Sequence, residues 1–270
     1  MDIELSTIGY LRSLLRTSII NDPEALGFLS CWAYEEYFHG RAIREFLKAC
    51  GIGVHKDRCA QVRRNVTIRE RLEEFGMAVM CSVTPHFNAT LLTWGAVQEM
   101  TTLEGYAILA ARTGNPILRP ILLRLAKDER RHFAFYYNKA RKTLEARRAQ
   151  QLTTLLLKKF WTPVGSGVKH DPEVEWTMRF LFGGPEGPAA WHRIDATIAR
   201  LPGLAWFDLF SQKMDSLMAS KFTTGQHSVD EAQRANRLAV PAAVSASCIP
   251  GSAAATPTHS PGQELLETSN

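Results

Sequence analysis

The chain has no CxxC pair, and its five cysteines, Cys31, Cys50, Cys59, Cys81 and Cys248, are odd in number. That spacing excludes a sulfur-ligated zinc module and a disulfide scaffold. Four of the five fall in helical patterns, where the expected role is a small core residue in a reducing compartment. No uncharged apolar run reaches the roughly 18 to 20 residues that a membrane span needs. The opening MDIELSTIGYLRSLL carries acids and resembles neither a signal nor a transit peptide, so the expectation is a cytoplasmic protein. An RNP-like aromatic strand, zinc-finger spacing and a heavily basic arm are all missing, so nucleic acid is not an expected partner. The net charge of +5 is modest. Its basic residues cluster at 140–159 with the helical spacing of a solvated face.

What the chain has in quantity is helical periodicity. Residues 3–20 carry Ile3, Ile8, Leu11, Leu14, Leu15 and Ile19 on one stripe. Asp22 and Pro23 form an N-cap and first helical residue for a helix to about residue 50, stopped by GIG at 51–53. Residues 56–82 read as a charged helical connection. TPHF at 84–87 starts a long helix to Arg112, and TGNP at 113–116 restarts the chain into a helix continuing past residue 148. WTPVGSG at 161–167 breaks that helix, and shorter helices follow at 172–182, 187–200 and 204–224. Two helical hairpins joined by a long crossover predict an all-α, ferritin-like four-helix bundle with additional C-terminal helices. Residues 1–239 read as one domain, and 240–270, rich in Ala, Ser and Pro, as a disordered tail.

Within this pattern, Glu36-x-x-His39 and Glu129-x-x-His132 repeat one spacing on two helices. Residues three apart share a helical face, so each pair aims a carboxylate and an imidazole the same way. A dinuclear site in such a bundle takes Glu-x-x-His from two helices and one glutamate from each of the others. Counting back from the turns near Asn115 and Asp22 puts Glu99 at the depth of Glu129, and Glu4 about one helical turn from the depth of Glu36. The candidate ligands are therefore Glu4, Glu36, His39, Glu99, Glu129 and His132. Oxygen-rich ligation with only two imidazoles suits iron or manganese better than zinc. Trp32, Tyr34, Phe38 and Phe133 beside these charges are expected to line a buried layer.

EE-x-x-HG at 35–40, QE-x-x-T at 98–102 and DE-x-RH at 128–132 together resemble the soluble acyl-carrier-protein desaturases, a ferritin-like diiron family, over roughly residues 3–165. The resemblance implies two irons bridged by Glu36 and Glu129, with Glu4 and His39 completing one and Glu99 and His132 the other. It implies Thr102 beside an oxygen-binding pocket and Asp128 orienting a ligand histidine. It also implies O2-dependent desaturation of an acyl chain on a carrier protein, an electron donor such as ferredoxin, and a homodimer. The chain departs from the family pattern in having no tryptophan before Trp32, and in Phe38 and Phe133, which replace an arginine and an acid.

Other readings of the same residues remain open. One is a diiron hydroxylase or N-oxygenase of another metabolite, another a non-enzymatic iron-binding or ferroxidase protein. A radical-generating reductase subunit using Tyr34 or Tyr37 and a metal-free helical scaffold complete the set.

Overall fold

A computed structural model describes residues 1–53, 79 and 84–220 apart from Gly167 and His170. They lie in the unit Met1–Thr224. The expected crossover at 56–82 apart from residue 79, the end of the last helix, the 240–270 tail, Cys59, Cys81 and Cys248 lie outside the described residues.

Helix α1 (Asp2–Leu14) has Asp2 and Glu4 in its first turn and Arg12 in its last, so its charges complement the helix dipole. It stops in a turn, and a short 3-10 segment, Ser18–Asn21, replaces the end of the expected first helix. The Oγ1 of Thr17 caps that segment by accepting from Ile19 N. Helix α2 (Pro23–Ala49) begins as its sequence predicts. Asp22 Oδ1 accepts from the backbone N–H groups of Glu24 and Ala25 at 3.0 and 3.2 Å, with Pro23 in the first turn. It ends on Gly51, whose φ of +76° belongs to the left-handed region. There Ile52 N donates to Leu47 O and Gly51 N to Lys48 O, which satisfies two carbonyls at the helix end.

Helices α3 (Phe87–Arg112) and α4 (Leu118–Thr143) form the second hairpin. Asn115 Oδ1 accepts from Ile117 N and Leu118 N and so starts α4. The expected continuous helix beyond residue 148 is corrected: α4 stops at Thr143, and α5 (Arg147–Phe160) follows after a short break. Thr143 Oγ1 turns back onto the carbonyls of Lys139 and Ala140. Gln150 Nε2 bonds the Leu144 carbonyl across the break. The turn lays α5 on α3, where Thr153 and Thr90 form a buried hydroxyl pair at 3.1 Å. Apolar periodicity crosses this junction uninterrupted because Leu144 is itself core, which is why the pattern conceals the break.

Three shorter helices complete the described residues: α6 (Asp171–Phe182), α7 (Gly187–Ile198) and α8 (Leu209–Ala219). Asp195 of α7 accepts from Phe210 N and Ser211 N and thereby caps α8 from a neighbouring helix. Among the described residues there is no strand. No described helix is long and apolar enough to cross a membrane.

The helices α1 to α4 surround two apolar clusters. One contains Leu29, Trp32, Leu92, Tyr136 and Leu144 and is extended by Leu157 of α5. The other contains Met100, Leu103, Tyr106, Leu122 and Leu125 and is extended by Phe182, Ile194 and Phe210 of α6 to α8. On α3 the first cluster ends at Val97 and the second begins at Met100; on α4 they are separated between Ala126 and Tyr136. The intervals hold Glu99, Glu129 and His132, so a polar layer lies between two dry ones.

Two sequence expectations fail at the surface. Cys31 and Cys50 are exposed rather than core residues: Cys31 falls on the solvent side of α2, and Cys50 caps its C-terminal end. Of the aromatics beside the motifs, Trp32 is buried, but Tyr34 is 66% and Phe38 39% exposed. Phe38 packs on Tyr34 and Tyr37 outside the bundle, with the Arg41 guanidinium 5.7 Å from its ring.

Candidate metal centre

All six candidate ligands are buried and converge from α1, α2, α3 and α4. Their donor atoms fall into two groups, each with every atom within 4.8 Å of the others: Glu4, Glu36, His39 and Glu129; and Glu36, Glu99, Glu129 and His132. Glu36 and Glu129 belong to both. Glu129 lies between the imidazoles, with Oε1 3.2 Å from His39 Nδ1 and Oε2 3.6 Å from His132 Nδ1. Glu36 Oε1 is 3.1 Å from His132 Nδ1 and 4.0 Å from His39 Nδ1.

Glu4 arrives at this depth because α1 packs closely on α2. A Cβ added to Gly40 would lie 2.5 Å from Leu5 Cγ and 3.1 Å from Glu4 Cβ. The glycine that follows His39 therefore makes room for the turn of α1 that carries Glu4. Tyr106 of α3 donates its hydroxyl to Glu4 Oε1 and fixes that carboxylate from the other side. Burial, with the charge of Glu4 next, raises the Tyr106 phenol well above its usual range, so it stays a donor.

Outside the donor layer the two histidines are held by a crossed arrangement. Asp128, which precedes Glu129 on α4, lies 3.3 Å through Oδ2 from His39 Nε2 on α2. Glu35, which precedes Glu36 on α2, lies 2.7 Å through Oε2 from His132 Nε2 on α4. A carboxylate at Nε2 places the ring proton there and leaves the Nδ1 lone pair directed inward, the tautomer a metal ligand requires. Thr102 Oγ1 sits 2.9 Å from Gln98 O, 3.2 Å from Glu99 O and 3.3 Å from Glu129 Oε2.

Sequence reasoning missed Glu35, Tyr106, Gly40 and the hydrogen bond from Trp32 Nε1 to Glu99 Oε1 at 3.0 Å. For Glu35 a signal was present: an acid precedes the glutamate in both motifs, and the two copies are equivalent by position.

The electrostatics test whether a cation belongs here. Burial raises Glu36 well above the carboxylate range, and the charges of Glu4 and Glu129 add to the effect. Burial likewise raises Glu99, against the pull of His132. Burial also opposes the charge on Glu129, but His132, His39 and Glu99 beside it outweigh that and hold it at about 2. Burial would lower both histidines; Glu129 leads the carboxylates that raise them instead. Without a cation the cluster draws protons onto itself, as packed buried carboxylates must. Nδ1 of His39, Nδ1 of His132 and Oε1 of Glu129 are nonetheless buried without a hydrogen bond. These inward-facing donors and the four buried carboxylates around them fit a bound cation, and Glu36 and Glu129 belong to both donor groups.

No curated protein and no solved structure matches the chain. The family model for fatty acid desaturases matches residues 21–163, more than half of the chain. The match begins just before α2 and takes in five of the six candidate ligands, with Glu4 ahead of it. With this match over more than half of the chain, including α2, α3 and α4, the chain belongs to the fatty acid desaturase family.

Proposed function

We propose that the protein is a diiron oxidoreductase that uses dioxygen to desaturate an acyl chain carried by an acyl carrier protein. The observation that carries this reading is the pair of donor groups sharing Glu36 and Glu129, in a chain of the desaturase family. Glu4, Glu36, His39 and Glu129 would hold one ion, and Glu36, Glu99, Glu129 and His132 the other. Two ferrous ions bound there supply the activation of dioxygen that removing hydrogen from an unactivated carbon requires.

The remaining work falls to the chain. The apolar clusters on either side of the donor layer exclude water from it. Asp128 holds His39 in the ligand tautomer, and Tyr106 keeps Glu4 aimed inward. The hydroxyl of Thr102, beside Glu129, keeps an exchangeable proton at the edge of the site. Arg141, Lys142, Arg147 and Arg148 are all exposed around the α4–α5 break and offer positive charge to an acidic carrier. A ferredoxin-like electron donor, a homodimer and the cytoplasmic setting expected from the sequence belong to the same proposal.

The test is reconstitution with ferrous iron, and separately with manganese, followed by turnover with a reductant and dioxygen on carrier-bound and free acyl chains. The proposal expects a product lacking two hydrogens, with carrier-bound substrate preferred and iron required. A product gaining oxygen would replace it with the hydroxylase reading. Iron oxidation with no organic product would replace it with the ferroxidase reading.

A further inference from the structure

One exposed side chain joins the outer supports of both histidines. The guanidinium of Arg131, 53% exposed, places NH2 2.8 Å from Glu35 Oε1 and NH1 2.7 Å from Asp128 Oδ1. The second oxygen of each carboxylate faces a ligand-candidate imidazole: Glu35 Oε2 at His132 Nε2 and Asp128 Oδ2 at His39 Nε2. The result is a continuous chain, His132–Glu35–Arg131–Asp128–His39, that leaves the donor layer on one side, passes through the surface and returns on the other. We infer that Arg131 is a positioning residue that fixes both ligand histidines at once and sets the charge seen by the metal pair from outside; this inference rests on the reading of a metal centre given above.

The geometry separates this role from that of an ordinary surface ion pair. An exposed pair adds little to stability. Here each carboxylate has its two oxygens divided between a guanidinium and an imidazole, so removing the guanidinium frees both to rotate away from Nε2. A guanidinium can engage two carboxylates in one plane, whereas a lysine ammonium brings the charge without that fork. The two arms are unequal. Asp128 lies three residues before Arg131 on the same helix, whereas Glu35 reaches it from α2. Glu35, the closer support of its histidine, depends more on the clamp. Loss of Arg131 therefore loosens His132 before His39.

Arg131→Gln, Arg131→Lys and, as a control, the adjacent exposed Arg130→Gln are compared with the unaltered full chain. Ferrous iron is titrated anaerobically, the midpoint potential of the loaded protein is measured, and metal-free thermal unfolding is recorded. Outer carboxylate partners of metal ligands are worth roughly 10- to 100-fold in metal affinity, and a loss in that range is expected for Arg131→Gln at one of two binding steps. The potential should move with it. Arg131→Lys should recover the potential more than the affinity, and Arg130→Gln should change neither. Metal-free unfolding should be nearly unaltered in all three. Equal losses in Arg131→Gln and Arg130→Gln, or affinity and potential unchanged in Arg131→Gln, would overturn the inference. If Arg131→Gln does not fold, Glu35→Gln carries the test, with the weakening again expected at one step and an unaltered titration overturning it. An unaltered chain that binds no iron would instead sink the metal-centre reading itself, so the two failures are distinguishable.

Discussion

Trp32 Nε1 donates to Glu99 Oε1 at 3.0 Å, so an indole from α2 holds the carboxylate of α3 in the donor layer. The same indole packs edge-on against Tyr136, with ring centroids 5.9 Å apart, and is nearly closed to solvent. A change in the charge borne by Glu99 is therefore reported at one fluorophore. Trp32→Phe keeps most of the packing and removes the donor. It should weaken metal binding by about tenfold and abolish most of the metal-dependent change in tryptophan emission. Stopped titration with a spectroscopically silent divalent ion checks both; an emission change equal to that of the unaltered chain would contradict it.

Gly40 gives a second prediction, because space and not backbone conformation is what it supplies. A methyl at this position meets Leu5 and the base of Glu4. Gly40→Ala should cost about 1 to 3 kcal/mol by overpacking. It should also weaken one metal-binding step more than the other, since only one donor group contains Glu4. Denaturant midpoints and metal titration on the same samples separate these effects. A variant that loses stability but binds both ions normally would show that α1 tolerates the shift without moving Glu4.

Much of this was legible in the sequence, and the reasons are local. Asp22 with Pro23, the glycine at 51 and the asparagine at 115 act over a few residues, so the chain announces where α2 and α4 begin and where α2 ends. The two Glu-x-x-His pairs follow helical spacing, and depth matching placed Glu99 beside Glu129. What was not legible depends on contacts between distant segments. The turn at Leu144 is hidden because Leu144 itself is core, as are Ala140 before it and Ala149 after it. Which side of α2 faces solvent was misjudged at Cys31, Tyr34 and Phe38, since aromatics and cysteine on a helix do not identify the buried face by themselves. Gly40 and Tyr106 matter through α1, which meets them only in the folded chain.

Asp22 offers a test by pH. Lys139 Nζ lies 2.6 Å from Asp22 Oδ2. That bond lowers the Asp22 carboxyl from its usual value, burial opposes it slightly, and the capped N–H groups of Ala25 and Glu24 assist. A depressed folded value means that the stabilisation is present above the unfolded pKa of about 3.9 and is lost as pH falls through the lower folded value. Asp22→Ala should cost about 1 kcal/mol near neutrality, the ordinary worth of a cap. Asp22→Asn keeps a capping oxygen without a titrating proton, so the gap between it and the unaltered chain should close as pH falls from 5 toward 3. Denaturant unfolding across that range checks the sign; a gap that widens on acidification would contradict it.

The measurement closest to the central claim is anaerobic ferrous-iron stoichiometry for the unaltered chain, Glu129→Ala and Glu99→Ala. A bundle site of this kind holds about two irons per chain. Glu129 lies in both donor groups and Glu99 in only one, so Glu129→Ala should disturb both binding steps, whereas Glu99→Ala should spare the step served by Glu4 and His39. An unaltered chain that takes up no iron, or a Glu129→Ala variant that binds as the unaltered chain does, would contradict the account.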